Sequence, residues 1–447
     1  MKKFIIAAAA AVLAVFIWHT AYYRFGLYID LHPDTPAETF MTVEGKEIYM
    51  EKDGVKEPFE MRGVDLGSSM PGEWSTDYAI DEETYIRWFG QIQEMGANTV
   101  RVYTLLADDF YNAFYEYNKD REDPLYLVHG VWVNDYIQYS HRDAYDDEFR
   151  QTFINDCRTL VDVLHGKRTV SLGYGVGSGS YRKDISEWVI GYILGVEWED
   201  VTVEYTNEKY PERTNYEGKY LYTSSEASPF EAMLCEVGDR LLEYESSRYK
   251  QQKLIAFSNW PDTDPFVYPG LITQYFQKCA QVDVEHILTT DALLSGQFVS
   301  YHVYPYHPAH LEYIDYAQSL LGGGLTGDEL TEFIMDQLER TGRLESRTEE
   351  EIQALLEGER EEITTRRETI ERIEARNAEK NAPYVMDYLK GNYLDKGGER
   401  NTYYTYLRIL NEYHTMPVVI SEFGIPTSRG MSQNDMSTNR NQGHMSE

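Results

Sequence analysis

WVIGYILGVEW, residues 188–198, is the stretch whose reading decides the fold. From Val189 to Val196 every position is apolar or Gly, and the run ends on Glu197. A short, near-continuous apolar run of this kind suits a strand of a parallel sheet covered on both faces. The same signal recurs on either side of it. Strands are read from Glu60 (to Val64), Asn98 (to Leu106), Leu125 (to Val133), Leu254 (to Asn259), Gly296 (to Tyr304) and Pro417 (to Phe423). Helical spacing lies between them. Asp81–Gly96 places Tyr85, Trp88, Phe89, Ile92 and Met95 on one face, with Asp81 as N-cap and Gly96 as C-cap. Asp108–Asn118, Asp146–His165, Pro229–Tyr249 and Thr402–Tyr413 also read as helices. Strands alternating with helices predict parallel β/α units. With seven such strands, each followed by a polar and aromatic loop, the expected class is α/β, a TIM-type (β/α)8 barrel with its active site at the C-terminal strand ends. An eighth strand is missing, because Thr427–Glu447 is polar and patternless. A truncated chain, closure by other means, or closure by a partner would each account for that.

Three segments stand outside the repeat. Thr42–Lys56 reads as a hairpin, with β-rich runs at Phe40–Val43 and Ile48–Met50 among Gly45, Asp53 and Gly54. Ser171–Ser180 is Gly-rich but lacks a phosphate-loop Lys, so it reads as a loop before the next strand. Residues 309–396 form an insertion. Within it, Arg347–Lys380 is charge-dense and almost free of aromatics, which predicts an exposed helical hairpin or coiled-coil-like arm.

Composition limits the partners. The 447 residues include 41 Lys plus Arg against 75 Asp plus Glu, a formal charge of −34. Such a chain repels phosphate backbones and is a poor match for nucleic acid or for broad contact with anionic lipid. The 38 Tyr and 7 Trp suit stacking on sugar faces, although most of them serve as ordinary core and surface residues. Cys157, Cys235 and Cys279 form no CxxC pair and no metal spacing, so buried free thiols are expected.

At the N-terminus, Lys2 and Lys3 precede an apolar run from Phe4 to Trp18. Phe16, Ile17, Trp18 and His19 follow the alanines where a cleavage site would need small residues. Residues 1–23 therefore read as an uncleaved signal-anchor in preference to a cleaved signal, with the lysines inside and residues 24–447 outside. The expected location is the cell membrane with an extracytoplasmic barrel, or secretion if the signal is cleaved.

Two strand ends carry carboxylates. Glu197 closes VIGYILGVE and Glu422 closes PVVISE. A carboxylate after so many apolar residues is costly to bury without a purpose. Either Glu alone could be a salt-bridged structural residue. Two on suitable strands point to a pair working across one glycosidic bond, which a retaining glycosidase needs about 5–5.5 Å apart.

The run from Met61 to Gly424 resembles the clan A glycoside hydrolases. RGVD (62–65) resembles their opening strand, MGANTVRVY (95–103) their second, and LYLVHGVWV (125–133) their third. GYILGVE resembles the β-1,3-glucanosyltransferase pattern GFFAGNE, SYHVY (300–304) the H-x-Y strand, and VVISEFG the nucleophile strand. The resemblance implies Glu197 as acid/base and Glu422 as nucleophile, with Arg101 and Tyr304 tuning Glu422. It implies His129 and His302 lining the sugar subsite, and Trp132, Trp198 and Trp260 stacking on sugar rings or capping the barrel. Asn259, with Asp262 and Asp264, would reach sugar hydroxyls. No metal or organic cofactor is implied. In one position the chain departs from the pattern: Val196 replaces the Asn that binds the 2-hydroxyl, which implies a different substrate, a donor from another loop, or lost activity. The function read from these residues is a retaining hydrolase or transglycosylase acting on a β-linked extracellular or cell-wall polysaccharide. Its rivals are a carbohydrate-binding barrel with impaired turnover and an envelope scaffolding protein using the charged arm. The sequence leaves the sugar, the linkage and the oligomeric state open.

Overall fold

In a computed structural model of the chain, residues 2–70, 73–133, 142–171, 177–276, 278–305, 319, 321–380, 382–385, 397–398 and 401–424 are described. The polar end from Thr427 onward and the insertion's first residues fall outside them, as do residues 172–176 of the Gly-rich loop.

The apolar run forms α1 (Lys2–Phe25), an exposed helix long and apolar enough to cross a bilayer. Strands β1 (Met41–Glu44), β2 (Glu47–Lys52) and β3 (Val55–Pro58) follow as an antiparallel sheet, one strand more than the expected hairpin. Then β4 (Gly63–Leu66), α2 (Glu82–Glu94), β5 (Thr99–Val102), α3 (Asp108–Asn118), β6 (Tyr126–Val131) and α4 (Asp147–Leu164) alternate. The short pair β7 (Arg168–Val170) and β8 (Gly179–Tyr181) precedes β9 (Val189–Leu194). After it come α5 (Asp200–Lys209), β10 (Leu221–Thr223), α6 (Pro229–Tyr249), β11 (Leu254–Asn259), α7 (Gly270–Phe276), β12 (Ile287–Thr289) and β13 (Val299–His302). Helices α8 (Gly327–Arg340), α9 (Glu349–Glu379) and α10 (Thr402–Tyr413) lead to β14 (Val418–Glu422).

All seven expected strands join one parallel sheet, in the order β4-β5-β6-β9-β11-β13-β14. The sheet curls: the side chain of Arg101, on β5 near one edge, reaches the Ser421 carbonyl of the opposite edge strand β14 at 2.8 Å. This is a (β/α) barrel one strand short of eight among the described residues. β9 and β11 are buried at every position, as their apolar runs require. The β1–β3 sheet packs Met41 and Ile48 against Val128, Ile190, Leu254 and Phe298, and so plugs the end where the barrel strands begin. Glu197 and Glu422 lie at the opposite end, 34% and 17% exposed.

Local signals set the helix boundaries. Asp81 accepts a hydrogen bond from the Thr84 amide as the N-cap of α2. Ser228 and Glu231 form a capping box with Pro229 at the first position of α6. Cys157 and Cys235 are buried free thiols in α4 and α6, and Cys279 is a half-buried one.

A second compact unit comprises Pro261–Gln281 and Tyr304–Leu410. The charged arm is helical as expected. Thr348 and Glu351 cap α9 reciprocally, and α8 and α9 share a small core of Leu330, Ile334, Leu338, Leu356 and Ile363. Asn377 at the end of α9 donates to the Tyr268 carbonyl. Asp264 is fully buried in this unit, paired with Lys278 at 2.7 Å and accepting from Tyr268 and Tyr406. Its oxygens are engaged by the protein's own donors.

Candidate active site

Glu422 is the last residue of β14. The ladder between β13 and β14 pairs Tyr301 with Ile420 and then His302 with Glu422, so the register slips by one residue at Ser421. This bulge sets Glu422 beside His302 and leaves the Ser421 carbonyl to accept from Arg101. Glu197 arrives from the third position beyond β9, after Gly195 turns the chain at φ +100. A Cβ at Gly195 would lie 2.1 Å from the Trp198 ring, so only glycine fits this turn.

His302 joins the two glutamates. Its Nδ1 lies 3.1 Å from Glu197 Oε1 and 3.3 Å from Glu422 Oε2. Its Nε2 lies 2.9 Å from Arg101 Nη2. A guanidinium only donates, so Nε2 must accept, and the ring proton then sits on Nδ1, shared between the two carboxylates. Arg101 also approaches Glu422 at 3.5 Å and Asp65 at 3.6 Å, and lies over the Tyr103 ring at 4.4 Å. The pair is asymmetric. Glu422 is 17% exposed and touches both Arg101 and His302, whereas Glu197 is 34% exposed and meets His302 alone among the described partners.

Glu197, His302 and Glu422 offer three possible metal-ligand atoms within 4.8 Å of one another. Coordination through Nδ1 would move the ring proton to Nε2, where it would face the Arg101 donor at 2.9 Å. Two donors facing each other repel, so the built arrangement suits shared proton donation and opposes metal binding.

Asp65, in β4, is the member that sequence reasoning missed. Burial pushes its carboxyl up to about 6; Arg101 and His302 pull it down and Glu422 pushes it further up. The signal was present in RGVD, whose last residue stands in register with Arg101.

The other expected site residues differ in their surroundings. His129 is fully buried, with Nε2 on the Tyr111 hydroxyl and Nδ1 on the Gly130 carbonyl, each at 2.8 Å. Burial lowers its pKa to about 4, so it is a neutral interior histidine with both nitrogens taken. Trp198 is fully buried against Phe153 and Phe230 and donates to the Ser258 carbonyl. Asn259 is buried, donating to the Val282 carbonyl and accepting from the Trp260 amide. Trp260 is half-buried and donates to the Trp198 carbonyl. Trp198 and Trp260 tie the ends of β9 and β11 together. Trp132 packs edge-on to Tyr103 and lines a cavity of about 270 Å³ with Thr104, Gly130, Asp156 and Arg168; neither glutamate is among its described lining residues. Tyr304 is half-buried and begins the second unit. Val196 is 1% exposed and offers no polar atom at the position beside Glu197.

No protein-family model matches the chain, and no curated protein matches it. Among solved structures it is similar to an endo-laminarinase from Formosa Hel1_33_131, at 14% identity and a TM-score of 0.35, over 83% of this chain and 68% of that one. A β-mannanase from the blue mussel Mytilus edulis matches at 11% identity and a TM-score of 0.31, over 60% and 75% of the two chains. A Parabacteroides merdae β-glucuronidase matches at 10% identity and a TM-score of 0.29, over 59% of this chain; the match spans 27% of that enzyme's length.

Proposed function

We propose that the protein is a retaining glycosidase or transglycosylase acting on a β-linked polysaccharide outside the cytoplasm, held to the membrane by α1. The observation that carries this reading is the spacing of the carboxylates, whose facing oxygens lie within 4.8 Å. Carboxylates this close favour the about 5–5.5 Å arrangement of a double displacement over the about 6.5–9.5 Å gap that admits a water in an inverting enzyme.

The asymmetry supports a division of roles. Glu422, beside Arg101 and under the His302 N–H, is the carboxylate held ready as nucleophile. It attacks the anomeric carbon while the bond to the leaving oxygen breaks. Glu197, the more exposed of the two, gives its proton to that oxygen. It then takes a proton from water or an acceptor sugar, which attacks the same carbon and frees Glu422. Throughout, the His302 proton is available to whichever carboxylate carries more charge.

Val196 favours a second reading, a barrel that binds sugar with little turnover, because the 2-hydroxyl lacks its usual partner there. Assay of the full chain on aryl β-glycosides and β-glucans separates the two. Turnover is expected, with Glu197→Gln and Glu422→Gln each lowering kcat by about 10²–10⁴-fold or more. Sugar binding by folded protein without turnover would leave the binding-barrel reading standing instead.

A further inference from the structure

Directly after α1 the chain leaves regular secondary structure, and Phe25 to Leu31 alternate in exposure. Phe25, Leu27, Ile29 and Leu31 point outward, 66%, 59%, 65% and 76% exposed. Gly26, Tyr28 and Asp30 face the barrel unit and are each fastened to it. The Gly26 carbonyl accepts from Arg248 Nη1 at 2.7 Å, the Tyr28 hydroxyl meets Ser247 Oγ at 2.7 Å, and Asp30 pairs with Lys250 at 2.8 Å. Period-two alternation therefore gives this segment a polar face bound to protein and an apolar face that is largely exposed among the described residues.

The junction with α1 is equally fixed. The Leu27 amide bonds back to the Ala21 carbonyl, and Gly26 at φ +68 turns the chain out of the helix, a glycine-capped helix end. A Cβ at Gly26 would lie 2.6 Å from Arg168 and 2.9 Å from Asp162. Asp162 is wholly buried beneath it, paired with Arg248 at 2.9 Å and Arg168 at 3.3 Å and accepting from Tyr244 and Tyr249. Tyr22 and Tyr23, in the last turns of α1, lie under Arg248 and Arg182.

We propose that the Phe25–Leu31 stripe lies in the outer interface of the bilayer that α1 crosses, so that the barrel is seated on the lipid surface. The inference rests on the anchored reading of α1. Its occupant follows from continuity: the stripe begins where an exposed apolar helix ends, and the locked junction keeps the two together. Trp18, Tyr22 and Tyr23 occupy the last turns of α1, where membrane helices place interfacial aromatics. The contact is apolar and narrow, as a chain of charge −34 requires beside anionic headgroups.

The test uses the full chain in phosphatidylcholine vesicles, with a fluorescent probe on one introduced cysteine at a time. The sites are Val12→Cys in α1, Ile29→Cys in the stripe and Met95→Cys, a 72% exposed position that caps the C-terminal end of α2. Iodide reports water and doxyl lipids report the bilayer. The expected result is that Ile29→Cys is several-fold less quenched by iodide than Met95→Cys and is quenched by shallow doxyl lipid. Iodide quenching of Ile29→Cys equal to that of Met95→Cys, with Val12→Cys in lipid, overturns the proposal. Shielding from both quenchers together with chain-to-chain crosslinking at Ile29→Cys also overturns it, in favour of a second copy. A Val12→Cys probe open to iodide would show instead that the anchored reading had failed.

Discussion

His302 is the residue on which the site turns, since one imidazole meets both glutamates and Arg101. Replacing it by Phe keeps a ring but removes the shared donor, and kcat should fall by about 10²–10³-fold, as for loss of one preorganised donor, while circular dichroism shows the fold retained. The same tautomer argument predicts that a chelator leaves turnover unchanged; loss of activity in EDTA, restored by a divalent cation, would contradict it. Asp65 gives a pH signature. Its carboxyl titrates near 6 in the folded protein against 3.8 ordinarily, so its ionised form is disfavoured by folding. The cost is absent below about pH 4, where the group is protonated in both states, and grows to its full value above about pH 6. Asp65→Asn should therefore be more stable than wild type near pH 7.5, by at most about 3 kcal/mol, with the gap closing toward pH 4 in denaturant titrations. At this scale the sequence showed the carboxylates, because charge at the end of an apolar strand is visible as text. It did not distinguish His302 from His129. Both follow strand patterns alike, and only the partners of each ring nitrogen, contributed by distant residues, separate a shared donor from a satisfied interior ring.

Elements bring these residues together through two departures from regularity. One is the bulge at Ser421, which sets Glu422 level with His302. The other is the Gly195 turn that delivers Glu197 beside a buried Trp198. Gly195→Ala should cost about 3 kcal/mol or more, combining a left-handed backbone with a clash against a packed ring, and should lower activity with it. Denaturation with urea checks the first and the glycoside assay the second. Ser228→Ala, at the start of α6, should cost only about 1 kcal/mol through loss of a cap and leave kcat intact. The strands and most helices were legible because period and capping are local: Pro229–Tyr249 and Thr402–Tyr413 match their expected bounds. The bulge was not, since register depends on the neighbouring strand. Helix α5 escaped notice for a different reason. Asp200–Lys209 is polar, with Val203 its buried aliphatic residue, so it carries little apolar periodicity to read.

For the whole molecule, one sheet order explains why residues as far apart in sequence as Asp65, Arg101, Glu197, His302 and Glu422 share one charge network. Each stands at or just beyond a strand of the same parallel sheet, toward its C-terminal end, and the curl of that sheet brings its two edges within reach of Arg101. The opposite end is packed by the β1–β3 sheet, and the apolar helix at the N-terminus is long enough to cross a bilayer. The measurement that tests the central claim most directly is covalent trapping. The full chain is incubated with 2-deoxy-2-fluoro-β-glycosyl fluorides of several sugars and digested for peptide mass spectrometry. A glycosyl adduct on Glu422, absent from Glu422→Gln, is the predicted result. Turnover of β-glycosides with no adduct on Glu422, or with the adduct on Glu197, would contradict it.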